Sequence, residues 1–215
     1  MLWRLSRHVV SRKCEGGGPA RVASDHIVQL FDTHSSRSRA IWRFVSAGLD
    51  LGETVVVVAR RKHWHGAARL LRRGGWPVDG ELQSGRLVVL DADVMLASFM
   101  RRGTIDVRRF EDVIERCVRD RVTGSRRAVR IYGEMVDILA EEANLPAARE
   151  LERRWNDLGR RYPFMLLCGY AAAHFTDPKT AAALRDICHL HERVESSSED
   201  PLGNWILRQR RGNAA

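Results

Sequence analysis

No run of apolar residues in this 215-residue chain approaches the roughly 20 that a membrane helix needs. The longest, Thr54 to Ala59, has the length of a strand, and the mean hydropathy is −0.32. A soluble, cytoplasmic protein without a membrane span is expected. Cysteine is scarce: Cys14, Cys117, Cys168 and Cys188 are spaced as neither a CxxC redox pair nor a zinc finger. The last three fall on apolar faces, as small buried residues do, which suits a reducing compartment. HExxH, GxSxG and a readable Cys-His-Asp arrangement are also missing, so the residues give little support to a hydrolase or metalloenzyme. His189 and His191 are two apart on a helix and do not share a face, which excludes a simple i, i+4 metal pair. His191 reads instead as a core histidine, and His63 and His65 as exposed. No catalytic residue, metal site or cofactor is expected.

What is abundant is arginine. Lys and Arg number 36 against 27 Asp and Glu, a formal charge of +9. The charge is spread along the chain, as in Arg72-Arg73, Arg101-Arg102 and Arg160-Arg161, with no basic block carrying interleaved aromatics. It reads as a solvated surface, and a nucleic-acid contact is the lesser alternative. Hydrophobic residues make up 44%, enough for a single well-buried core. Residues 1–25 read as a basic, disordered leader with a glycine-proline break, residues 26–194 as one domain, and residues 195–215 as a loose basic tail.

Between these ends strand and helix patterns alternate. His26 to Phe31, Glu53 to Ala59, Leu87 to Leu90, Arg127 to Tyr132 and Pro163 to Tyr170 read as strands. Ile41, Phe44, Val45 and Leu49 recur at helical spacing, and Trp64, Ala67, Ala68 and Leu71 mark a second helix. Asp106 opens a longer helix, and Leu151, Trp155 and Leu158 lie on another, with Glu152 and Asn156 as i, i+4 neighbours. Asp177-Pro178 caps a last helix with Leu184, Ile187, Cys188, His191 and Val194 inward. The pattern predicts a three-layer α/β fold: a mainly parallel sheet of five or more strands with helices on both faces.

Ligands of such sheets bind beyond the carboxyl ends of the strands. That rule selects Asp32, Thr33, His34, Ser35, Ser36 and Arg37 after the first strand, and Arg60 after the second. It also selects Asp91 after the third, Gly133-Glu134 after the fourth and the segment from Tyr170 to His174 after the fifth. The first loop has neither the glycines nor the lysine of a phosphate-gripping loop, so ATP hydrolysis is not expected there. An altered small-ligand site at a helix N-terminus remains, the structural alternative being that Ser35 or Ser36 simply caps the helix. Glu134 holds a ligand or pairs with an arginine, and Ser35, Asp91 and Glu134 are expected around a common hollow.

Several segments resemble the MEDS domain, the methanogen/methylotroph sensory domain of the DcmR type. They include His26-Ile-Val-Gln-Leu-Phe-Asp, Gly85-Arg-Leu-Val-Val-Leu-Asp and Val129-Arg-Ile-Tyr-Gly-Glu-Met. Leu151-Glu-Arg-Arg-Trp-Asn, Leu166-Leu-Cys-Gly-Tyr and Ile187-Cys-His-Leu-His continue the likeness. The resemblance implies a RecA/KaiC-like fold without a working phosphate loop. It implies a domain that senses a small molecule, such as a hydrocarbon derivative, and signals through a regulator or histidine kinase. The 25 or so residues ahead of the domain are too few for a helix-turn-helix, so a stand-alone sensory domain with a protein partner is expected. A nucleotide-binding ATPase and a DNA-associated regulator are the competing readings, and a homo-oligomer is left open.

Overall fold

The computed structural model describes residues 25–124 and 127–196. The leader up to residue 24, with Cys14, and the tail from residue 197 lie outside the described residues. Six strands form one all-parallel sheet: β1 (Asp25–Phe31), β2 (Thr54–Ala59), β3 (Leu87–Asp91), β6 (Val129–Gly133), β7 (Met165–Ala171) and β8 (Arg193–Ser196), in the order β3-β2-β6-β7-β1-β8. The short strands β4 (Met100–Arg101) and β5 (Thr104–Ile105) pair as a separate antiparallel hairpin. β2 and β6 are buried along their whole length, as expected of parallel strands covered on both sides.

Helices α1 (His34–Asp50) and α2 (Arg61–Arg73) pack on one face, against Val55, Val57, Tyr132 and Leu167. The other face carries α4 (Ala92–Phe99), α6 (Arg116–Gly124), α7 (Met135–Glu141), α8 (Leu145–Arg161) and α9 (Pro178–His189), over Val28, Val56, Ile131 and Cys168. The division follows from the strand order. The chain leaves β1 towards β2 and β3 at one edge, then returns through β6 and β7 and steps past β1 to β8. Right-handed crossovers running in opposite directions must cover opposite faces. Adjacent strands β2 and β6, and again β7 and β1, therefore send their following segments to opposite sides. Each such reversal opens a crevice at the carboxyl edge.

Several details depart from the sequence reading. The helix α3 (Val78–Gln83) and the hairpin carry no strong periodicity and were not anticipated, and the helix expected from Asp106 runs as α5 (Val107–Phe110) through a π-helical segment, Glu111–Glu115, into α6. The last helix ends at His189, and Val194 belongs to β8, where it pairs with Val28 of β1. Its inward position arises from a strand, because four residues cannot separate period two from period 3.6. Thr33, not Ser35 or Ser36, caps α1: its hydroxyl accepts from the Ser36 N–H at 3.0 Å, and the Ser36 side chain receives the Thr33 N–H in return. Asp177 does cap α9, accepting from the N–H groups of Lys179 and Thr180, with proline in the first turn. Among the described residues no helix is long and apolar enough to cross a membrane.

Candidate functional site at the carboxyl edge

The two crevices meet around a pair of buried carboxylates. Glu134 follows β6 directly and is fully buried, and Asp137 lies one turn later in α7. Arg37, in the first turns of α1, donates from one Nη1 to Glu134 Oε2 at 2.6 Å and to Asp137 Oδ2 at 2.5 Å. The segment after β2 contributes twice: the Arg60 N–H donates to Glu134 Oε1 at 2.5 Å, and His63 Nδ1, in the first turn of α2, lies 2.6 Å from Glu134 Oε2. The end of β7 closes the set through the Ala171 N–H, 2.7 Å from Asp137 Oδ1, and His174 Nε2, 3.2 Å from the same oxygen. Two acids thus tie together the segments that follow β1, β2, β6 and β7.

The charges hold one another in place. Burial works against the Arg37 cation, but Tyr132, Asp137 and Glu134 outweigh it and raise its pKa further. Burial likewise opposes ionisation of Asp137, yet the His174 hydrogen bond and the Arg37 charge hold its pKa well below the usual carboxylate range. Because the folded pKa is depressed, Asp137 contributes stability above its unfolded pKa of about 3.9 and loses it as pH falls towards the folded value. Urea unfolding is therefore expected to show falling stability below about pH 4, and Asp137→Asn should flatten that fall. The Tyr132 hydroxyl, fully buried beside this network, has no hydrogen-bond partner among the described residues, and burial followed by the Glu134 charge raises its pKa well above normal.

A path leads outward from the acids. His63 is 2% exposed, against the expectation of an exposed side chain, because α2 begins at Arg61 and its first turn faces Glu134. Its Nε2 lies 3.0 Å from Nδ1 of His34, which is exposed, as are Asp32 and Ser35. Burial, then the neighbouring His63 charge, lowers the His34 pKa. The Arg60 side chain reaches Glu141 at 2.5 Å, bridging α2 to α7.

The expected site residues therefore divide. Arg37, Glu134, His34 and the Arg60 backbone come together. Thr33 and Ser36 shape the start of α1, and Asp32 and Ser35 sit on its exposed approach. Asp91 caps α4, accepting from the N–H groups of Asp93 and Val94, and pairs with Arg61 at 2.9 Å. Tyr170 belongs elsewhere: its hydroxyl donates to Glu152 Oε1 at 2.8 Å, on the α8 side of the sheet. His174, at the end of the Tyr170 to His174 segment that the strand-end rule selects, does reach the site, whereas His63 and Asp137 were not singled out for it. For Asp137 the available signal was an acid one helical turn after Glu134.

Tyr170 marks a second buried polar cluster. Glu152 of α8 lies beside His26 of β1, Cys168 of β7 and His191, between α9 and β8. Burial opposes ionisation of Glu152, but His191 and His26 outweigh it and keep the carboxyl well below its ordinary range. Burial and then the Glu152 charge push the Cys168 thiol well up. These are the described residues whose donor atoms converge as a metal would require. They are 16 to 126 positions apart between successive members, so no local spacing could announce them.

None of the curated proteins compared matches the chain. The family model described as the MEthanogen/methylotroph, DcmR Sensory domain matches residues 25–192, from the first strand to the residue before β8. That span takes in both buried clusters, and the chain belongs to the MEDS family of sensory domains.

Proposed function

We propose that this sensory domain takes up a small organic molecule at the carboxyl edge and passes the change to a protein partner, a regulator or a histidine kinase, without catalysing a reaction. The observation that carries the reading is the sharing of Arg37, Glu134 and Asp137 among four strand-end segments. A ligand that hydrogen-bonds any of these groups alters the partners of all the others, so occupancy favours one arrangement of the whole edge over another. The Tyr132 hydroxyl supplies a further buried group for a polar ligand to satisfy. Arg37 takes the place where a nucleotide-binding loop would offer its lysine, and its charge is already engaged by two acids, which weighs against a triphosphate.

The test is a thermal-shift and native mass-spectrometry survey of the full chain. The probes are short alcohols, amines and carboxylates, with magnesium-ATP as the contrasting one. A ligand present at 100 times its Kd should stabilise the fold by about 2.7 kcal/mol, and Tyr132→Phe and His34→Ala should weaken the effect. Saturable stabilisation by magnesium-ATP alone would overturn the proposal.

A further inference from the structure

We propose that His26, Cys168, Glu152 and His191 form a tetrahedral site for a zinc-class divalent cation, independent of the carboxyl-edge reading. The four donor atoms lie within 4.8 Å of one another. His26 Nε2 is 3.2 Å from Glu152 Oε2 and 3.3 Å from Cys168 Sγ, Cys168 Sγ is 3.3 Å from Glu152 Oε2, and His191 Nε2 is 3.5 Å from Glu152 Oε1. A tetrahedral ion with bonds of about 2.0–2.3 Å sets its ligands roughly 3.3–3.6 Å apart, so the three separations among His26 Nε2, Cys168 Sγ and Glu152 Oε2 are close to the edges of one face of such a tetrahedron, with His191 Nε2 as the fourth donor inside the same 4.8 Å limit.

A second observation concerns the far side of each imidazole. His26 Nδ1 lies 2.8 Å from Asn156 Oδ1, and the Asn156 amide is oriented by its Nδ2, which donates to the Leu190 carbonyl at 2.8 Å. His191 Nδ1 lies 2.7 Å from the Ile187 carbonyl. Each outer nitrogen thus faces an oxygen acceptor, so a ring that binds a cation as the neutral form protonated there would direct its Nε2 lone pair into the cluster. Metal-binding histidines are oriented in this way, by an oxygen acceptor on the other ring nitrogen. Tyr170 does the same for Glu152 by donating to Oε1.

The charges also close. One thiolate and one carboxylate neutralise a divalent ion, leaving no net charge in a site where all four residues are buried. Coordination forms the metal–sulfur bond and releases the Cys168 thiol proton to solvent; no electron is transferred. Entry is available from a cleft of about 370 Å³ bordered by His26, Asn156, His189 and His191. Mixed nitrogen, sulfur and oxygen donors in a tetrahedron suit Zn²⁺, and they suit Co²⁺ as its spectroscopic substitute.

The experiment strips the full-length protein with a chelator and titrates it with Co²⁺. The expected result is one cobalt per chain, with the intense visible bands of tetrahedral coordination and a near-ultraviolet thiolate-to-cobalt band. Cys168→Ser should abolish the thiolate band, while Cys188→Ser, on the same face, should leave it unchanged. Asn156→Ala should weaken cobalt affinity by roughly 10–100-fold, with Asn156→Asp restoring much of it. Should a ligand variant fail to fold, the unmodified chain decides the matter: zinc returned to the stripped protein must raise Tm. A weak octahedral cobalt spectrum without the thiolate band, or a Tm indifferent to zinc, overturns the assignment.

Discussion

Replacing Arg37 by methionine is expected to destabilise the fold by about 3–5 kcal/mol, the cost of leaving buried acids without their cation. For a chain of this size that corresponds to a fall in Tm of roughly 6–20 °C. The reason is specific to the arrangement: Glu134 and Asp137 are both almost fully enclosed and share a single guanidinium. Methionine fills much of the same volume and can still pack near the Phe31 ring, which lies 5.2 Å from the Arg37 guanidinium carbon. The loss is thus electrostatic rather than a cavity. The same substitution in an Asp137→Asn background should cost less, since one fewer carboxylate then lacks a counter-charge, and the two changes should not add. Urea unfolding at neutral pH measures both. A cost below about 1 kcal/mol for the single variant would mean that the guanidinium is effectively solvated, as in a surface ion pair.

Trp155→Ala should be comparably severe, at about 3–5 kcal/mol, for the opposite reason. Trp155 is 3% exposed and is the middle of a chain of edge-to-face rings, 6.2 Å from Phe110 and 6.1 Å from Phe164. Its removal deletes a large apolar surface and leaves a cavity that β6, β7 and the helices around α8 cannot fill without moving. α8 also carries Glu152 and Asn156, so the variant is expected to loosen the His26–Cys168 cluster as well as the core. Trp155→Phe keeps a ring at this point and should recover most of the stability, as a thermal melt would show. Equal losses for the two substitutions would contradict the packing account.

The strands that could be read directly are those with long, β-branched runs. Thr54–Ala59 is apolar on both sides, and that pattern alone requires a parallel strand between two helical layers. β8 was hidden because four residues after a helix continue its apolar stripe by chance: Val194 falls three positions beyond His191, in line with Leu184, Ile187 and Cys188. The carboxyl-edge site was half legible. The rule that ligands bind beyond strand ends selects Arg37 and Glu134 without knowledge of strand order. It does not say which strand ends are neighbours, and so it grouped Asp91 and Tyr170 with them. Asp91 follows edge strand β3 and is used up in capping α4 and pairing Arg61. Tyr170 points to the other face because side chains alternate along β7, which no amount of local pattern at the strand end reveals. The expectation that no metal site is present rested on local spacings, and His26, Glu152, Cys168 and His191 have none. The pairing of β1 with β7 and β8, with α8 packed over them, brings them together.

Hydrogen exchange on Glu134→Gln is the most direct measurement of the central claim, that two acids couple four segments of the carboxyl edge. If the edge behaves as one unit, the variant loses amide protection together at residues 34–37, 60–63, 135–138 and 171–175, while β3 and β8 remain as protected as in the unmodified chain. Loss confined to residues 134–138 would show that the segments open independently, and an edge of that kind could not relay a bound ligand to a partner.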